Sequence, residues 1–144
     1  MKKDVEEKII LKATNPKIHL EYEFDYKIEC GIVLNGDEVK AIRSTTPSLK
    51  PTFCFIIHRE VFVRNFNLSK AKFPERNKKL LLHKKQINKL LGYLSQKCYV
   101  IIPMEIYEKN GLFKLTIGCG KHLNKVDKRE AIKQKEMKKE MKYF

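Results

Sequence analysis

A chain of 144 residues with 42% hydrophobic residues is long enough for one compact domain around a single core. Its net charge of +14 makes polyanions the natural partners, and no run of 18 apolar residues is present, which excludes an ordinary transmembrane helix. The charge is localised: residues 1–68 carry 11 Lys/Arg against 10 Asp/Glu, whereas residues 69–144 carry 20 against 7, so one basic surface is favoured over a uniformly lysine-rich chain.

Residues 1–14 are charged and mildly amphipathic, and are expected as a loose or short helical arm. From 17 to 30, Ile18, Leu20, Tyr22, Phe24, Tyr26, Ile28 and Cys30 alternate with polar residues, and this period of two predicts one long strand with a buried and a wet face. Gly31 breaks the pattern as a bulge or bend would. Asn35-Gly36 signals a turn, and Asp37 is a candidate cap for a short helix from Glu38 to about Ser44, with Val39 and Ile42 facing the core.

A loop over 45–51 precedes two apolar runs, Phe53 to Ile57 and Val61 to Phe66, separated by His58-Arg59-Glu60; they predict a hairpin. Residues 67–79 are polar and basic without a period. From Leu80 the pattern turns helical, and Ile87, Leu90, Leu91 and Leu94 form a core-facing stripe. Residues 98–107 and 113–117 read as strands joined at Asn110-Gly111, the strongest hairpin signal in the chain, with Pro103 implying an edge or bulge in the first. Residues 120–129 are basic and 130–144 highly charged, a tail expected to order only on a partner. The absence of a βαβ rhythm points to a mostly antiparallel sheet of about six strands, which a small barrel would close. The division expected is an arm over 1–14, a domain over 15–126 and a basic tail over 127–144.

Chemistry-bearing patterns are sparse. Cys30, Cys54, Cys98 and Cys119 have spacings that fit no zinc site, and each sits in an apolar run, so they are expected as free thiols. His19, His58, His83 and His122 are scattered, and no catalytic or nucleotide-binding motif occurs. Glu21, Glu23 and Asp25 would line one strand face as a metal cluster, although solvated strand residues are far commoner. No cofactor or metal is expected. Lys70, Lys72, Arg76, Lys78, Lys79, Lys84 and Lys85 are dense enough to grip phosphates by counterion release, against the plainer reading of an exposed loop and helix face. His83 is open to two readings, a base-stacking group or a half-buried residue under a helical turn. Tyr22, Tyr26 and the phenylalanines read better as core than as stacking platforms. The residues alone thus describe a small, basic, mainly β nucleic-acid binder.

Four strings carry a resemblance. Glu29 to Arg43, ECGIVLNGDEVKAIR, resembles the pattern E-x-G-I-x-L-x-G-x-E-V-K-S-I-R of the small protein B (SmpB, SsrA-binding protein) family. Lys79 to Ile87, KLLLHKKQI, resembles its R-K-L-L-L-H-K-K-E-I, and Tyr107 to Lys114, YEKNGLFK, its Y-x-K-N-G-x-x-K. Asp127 to Glu130, DKRE, matches the start of its tail. The resemblance implies an OB-like antiparallel β-barrel with two to three short flanking helices. It also implies a non-enzymatic RNA-binding role: delivering tmRNA, through its tRNA-like domain, to stalled ribosomes in trans-translation.

The RNA-contacting positions implied are Glu29, Leu81, His83, Lys114 and Lys121, with Lys79 beside them. Asp127, Lys128 and Arg129 are implied to act on the ribosome, where the tail lies in the messenger channel near the small-subunit decoding centre. Two departures mark a divergent member. The family's A-K-G-K-K reads Gly120-Lys121-His122-Leu123-Asn124, and Lys78 stands where the family has an arginine, whose planar fork lysine lacks. A monomer in a bacterial-type cytoplasm, or in a plastid stroma given the lysine-rich bias of an AT-rich genome, is the expected setting. A structural ribosomal protein, a generic OB-fold RNA binder and a metal-dependent nuclease are the competing readings.

Overall fold

The computed structural model describes residues 8–16 and 18–123. The elements, in order, are β1 (Ile9–Thr14), α1 (Ile18–Glu21), β2 (Tyr22–Ile32), α2 (Gly36–Ser44), β3 (Phe53–Ile57), β4 (Glu60–Arg64), β5 (Lys78–Leu81), α3 (Lys84–Leu94), β6 (Tyr99–Lys109) and β7 (Leu112–His122). The sheet runs β1-β6-β3-β4-β5-β2-β7, and a further β6–β7 pairing closes six of the strands into a ring. All pairings are antiparallel. This is the expected OB-like barrel of six strands, with β1 laid along β6 as a seventh and three flanking helices.

The barrel interior is filled from every strand of the ring: Ile28 and Cys30, Cys54, Val61 and Val63, Leu80, Ile101 and Ile106, and Phe113, Leu115 and Ile117. Leu90 of α3 and Ala41 and Ile42 of α2 join the same core. Closure removes the exposed edges that a flat sheet of these apolar strands would present. A smaller cluster of Ile18, Ile102 and Met104, with Tyr22 and Phe24, packs outside the ring under α1.

Two expectations fail. Residues 9–14 form a strand, paired with β6 from Ile9↔Lys109 to Thr14↔Glu105, instead of a short helical arm. The alternation over 17–30 spans two elements, a single helical turn at Ile18–Glu21 and then β2. Ile18 and Tyr22 are four residues apart, which is both two strand periods and about one helical turn; both settle in the outer cluster.

The irregularity in β2 also lies elsewhere than expected. The register against β7 slips between Phe24 and Tyr26, so these two rings serve different clusters, while Gly31 is regularly paired on both sides. In β6 the bulge falls between Pro103 and Glu105, as Pro103 implied.

The turns follow their sequence signals. Asn110 and Gly111 both have positive φ, 51° and 82°, as a tight two-residue hairpin requires. His58 and Arg59 (φ 49° and 60°) make the β3–β4 turn without a glycine. Asn35, rather than Asp37, is the N-cap of α2, and Glu38 accepts the Asn35 N–H at 2.7 Å in a capping box. Three of the four thiols, Cys30, Cys54 and Cys119, are buried in strands and free; Cys98 instead sits exposed in the loop before β6, with φ 74°.

Candidate nucleic-acid interface

The surface expected to hold RNA is built on one residue without a side chain. Gly31 on β2 pairs with Leu81 on β5 on one side and with Lys114 on β7 on the other. Lys114 pairs in turn with Tyr107 on β6. Leu81, Gly31, Lys114 and Tyr107 therefore form one row across four strands. A Cβ at Gly31 would stand 3.4 Å from Leu81 Cδ1, so the missing side chain is the floor over which Leu81 lies, itself 55% exposed. Residues two apart along a strand share a face, which places Glu29 in the next row of that surface, beside Thr116 and Glu105.

Glu29 is held before any ligand arrives. The Tyr107 hydroxyl donates to its carboxylate, and Lys109 Nζ stands 3.8 Å away. Burial, helped by Glu29, pushes the Tyr107 hydroxyl up to about 12, so it stays a proton donor at neutral pH. An ionised carboxylate has about four lone-pair directions, and Glu29 is exposed, which leaves it able to accept further bonds from sugar or base groups.

Lys79 lies on the same outward face of β5 as Leu81, with Nζ 3.1 Å from Glu60 in an exposed ion pair. Such pairs contribute about 0–1 kcal/mol, so Glu60 is readily exchanged for a phosphate. His83 is the N-cap of α3 and exposed, its N–H donated to Gln86 Oε1 at 2.9 Å. The half-buried reading of its ring therefore falls.

Lys121 stands apart from this row. It pairs with Tyr99 and Glu23 near the other end of β7, and its ammonium lies 5.1 Å from the Tyr99 ring centroid. The Tyr99 hydroxyl donates to Asp25, and that bond holds it up at about 12. Tyr99 continues into a run of rings: Tyr93 at 5.4 Å, then Tyr26 at 6.0 Å, with Lys89 capping Tyr26 at 4.3 Å. Of the six positions, the structure brings Glu29, Lys79, Leu81 and Lys114 onto one surface, sets His83 just past the end of β5, and leaves Lys121 beside the aromatic run. Asp127, Lys128 and Arg129 lie outside the described residues.

The basic stretch 69–89 divides. Lys70, Lys72, Lys84 and Lys85 are exposed. Lys78 and Arg76 are not free phosphate ligands, which corrects their expected role. Lys78 is fully buried and donates to the Phe66 and Arg76 carbonyls, each at 2.7 Å, with Glu38 at 3.8 Å. Arg76 grips the buried Glu38 through both Nε and Nη2. Burial pulls the Lys78 ammonium down and Glu38 opposes it; the hydrogen bonds Arg76 donates to Glu38 raise its own value further.

The three carboxylates expected on one strand face also separate. Glu21 ends α1, Glu23 pairs opposite Lys121, and Asp25, at the register slip, is turned to Tyr99. Among the described residues, no three His, Cys, Asp or Glu side chains gather in a way that could hold a metal ion, and no helix is long and apolar enough to cross a membrane.

Sequence reasoning missed Tyr107, Gly31, Tyr99 and Asp25 as parts of these surfaces. Tyr107 was countable: it stands three residues before Asn110 and Lys114 three after Gly111, so the hairpin turn alone sets them opposite one another. Tyr99 against Lys121 was not countable, because the bulge after Pro103 shifts the register by one.

A family model described as SmpB protein matches residues 12–144. The SsrA-binding proteins of Geobacillus sp. (strain WCH70) and Anoxybacillus flavithermus (strain DSM 21510 / WK1) are each 40% identical over 138 residues. Those alignments cover 91% of this chain and 89% and 90% of the two relatives. A chain in a solved structure described as "tmRNA-SmpB: a journey to the center of the bacterial ribosome" is 28% identical and superposes with a TM-score of 0.64. The match covers 83% of this chain and 93% of that one.

Proposed function

This chain belongs to the SmpB family, and from that premise we propose that it binds the tRNA-like domain of tmRNA and promotes its delivery to stalled ribosomes in trans-translation. Membership across residues 12–144 is the observation that carries this reading. The protein acts by binding, not by catalysis, in a bacterial-type cytoplasm, with tmRNA and the ribosome as its partners.

The row of Leu81, Gly31 and Lys114 with Glu29 beside it is the surface we assign to the tRNA-like domain. Its chemistry suits an RNA surface. Lys79 and Lys114 neutralise phosphate, Glu29 accepts from sugar or base donors, and Leu81 and His83 offer surface to unstacked bases. Lys121, held by Tyr99, supplies a second cationic point farther along β7. Residues 127–144, with Asp127, Lys128 and Arg129 at their head, are assigned to the ribosome.

The test is competition binding of the tRNA-like domain against elongator tRNA across a salt series. Binding that resists the competitor and weakens in Lys114→Ala and Leu81→Ala supports the reading. Equal, steeply salt-dependent binding to both RNAs defeats it and leaves a generic basic surface.

A further inference from the structure

We propose that the loop over 67–77, between β4 and β5, carries a separate RNA contact, in which the exposed ring of Phe73 stacks on an unpaired base while Lys70 and Lys72 neutralise the adjoining phosphates. The proposal rests on the chain being an RNA binder, but not on the identity of the RNA.

Phe73 is 63% exposed, in a chain whose other phenylalanines are mostly spent on packing: Phe66 and Phe113 are buried, and Phe24, Phe55 and Phe62 are half-buried. The tyrosines of the run beside α3 turn their faces to one another and to Lys89 and Lys121. Among the described residues, the Lys72 ammonium stands over the Phe73 ring, 5.7 Å from its centroid. An aromatic left in water keeps apolar surface that a stacked base would cover, and cations beside it select a polyanion over an apolar protein groove.

The loop that presents the ring is fixed on both sides of it. Leu68 and Ala71 are buried anchors. The Lys72 N–H donates to Asp37 at 2.8 Å, the Leu68 N–H to the Pro74 carbonyl at 3.2 Å, and the Arg76 N–H to the Phe73 carbonyl at 3.2 Å. Arg76 is itself clamped to Glu38. A loop backbone held in this way loses little freedom when a base lands on the ring it carries, and stacking on an aromatic tolerates any base because every base has a π-face.

The chain has no tryptophan, so Phe73→Trp installs a single tryptophan, excited selectively beyond the tyrosine absorption, where the stack would form. Its emission is read during titration with an unstructured adenine-rich oligoribonucleotide and, separately, with the tRNA-like domain. Quenching by either RNA is expected, together with a loss of affinity of about tenfold in both Phe73→Ala and Phe73→Leu. Lys70→Ala and Lys72→Ala should each lower the salt slope by about 1. Unchanged emission at saturating RNA, with unchanged affinity in Phe73→Ala, overturns the contact. Quenching by the oligoribonucleotide with no preference for the tRNA-like domain over elongator tRNA keeps the contact and removes the tmRNA reading. Preference for the tRNA-like domain with unchanged emission does the reverse.

Discussion

Along β5 the two faces of one short strand carry the same residue types to opposite ends. Facing inward, Lys78 is fully buried beside Leu80, its ammonium satisfied by two carbonyls and by Glu38. Facing outward, Lys79 and Leu81 are open to solvent, with Glu60 the lysine's exposed partner. The neighbouring carboxylates divide in the same way: Glu38 is sealed under Arg76 and Lys78, whereas Glu29 stands on the surface with Tyr107 and Lys109. The lesson is that a basic run is not a basic surface. Alternation sends every second lysine inside, and a buried charge then serves the fold because it survives only where partners meet it.

The sharpest way to break the comparison is Glu38→Ala. It leaves Lys78 and Arg76 without their shared anion and also removes the α2 capping contact to Asn35. A loss of about 3–5 kcal/mol is expected in urea unfolding followed by circular dichroism. Lys78→Met should cost less, at most about 2 kcal/mol, because Glu38 keeps Arg76, and it should leave the salt dependence of RNA binding as it was. Lys79→Ala and Lys114→Ala should behave in the opposite sense. Each lowers the salt slope by about 1 while moving stability by no more than about 0.5 kcal/mol.

The pH response sharpens the same contrast. Burial pushes the Cys30 thiol from 9.0 up to about 12 and the Cys119 thiol to about 11. A raised value means that the fold holds the proton more tightly than the unfolded chain, so this stability is complete below about pH 9 and is lost as pH rises toward 12. Lys78 runs the other way: burial lowers it from 10.5, a cost at neutral pH that is relieved as pH approaches that value. The urea midpoint should therefore fall above pH 9, and fall more steeply in Lys78→Met. The smallest effect is on thiol reactivity. Only the exposed Cys98 should react promptly with a thiol reagent in the native protein, and all four in denaturant.

Much of the barrel was legible in the sequence because its signals are local. The Asn110-Gly111 turn, the Pro103 bulge, the helical stripe from Ile87 to Leu94 and the apolar runs of the hairpin at 53–66 each depend on a few adjacent residues. The site was legible only as names along the chain. Glu29, Leu81 and Lys114 lie far apart in sequence, and what unites three of the four strands in their row is Gly31, pairing both ways.

The sequence by itself determined the class, a small basic β domain, and the strings that place it in its family. Tertiary structure alone decided which charges are surface and which are core, that residues 9–14 pair with β6, and that Lys121 lies with Tyr99 instead of beside Lys114. The physical reason is that alternation fixes only that successive side chains part. Which side becomes the interior is set by ring closure, by the register slips at Phe24/Tyr26 and Pro103/Glu105, and by partners contributed from distant parts of the chain.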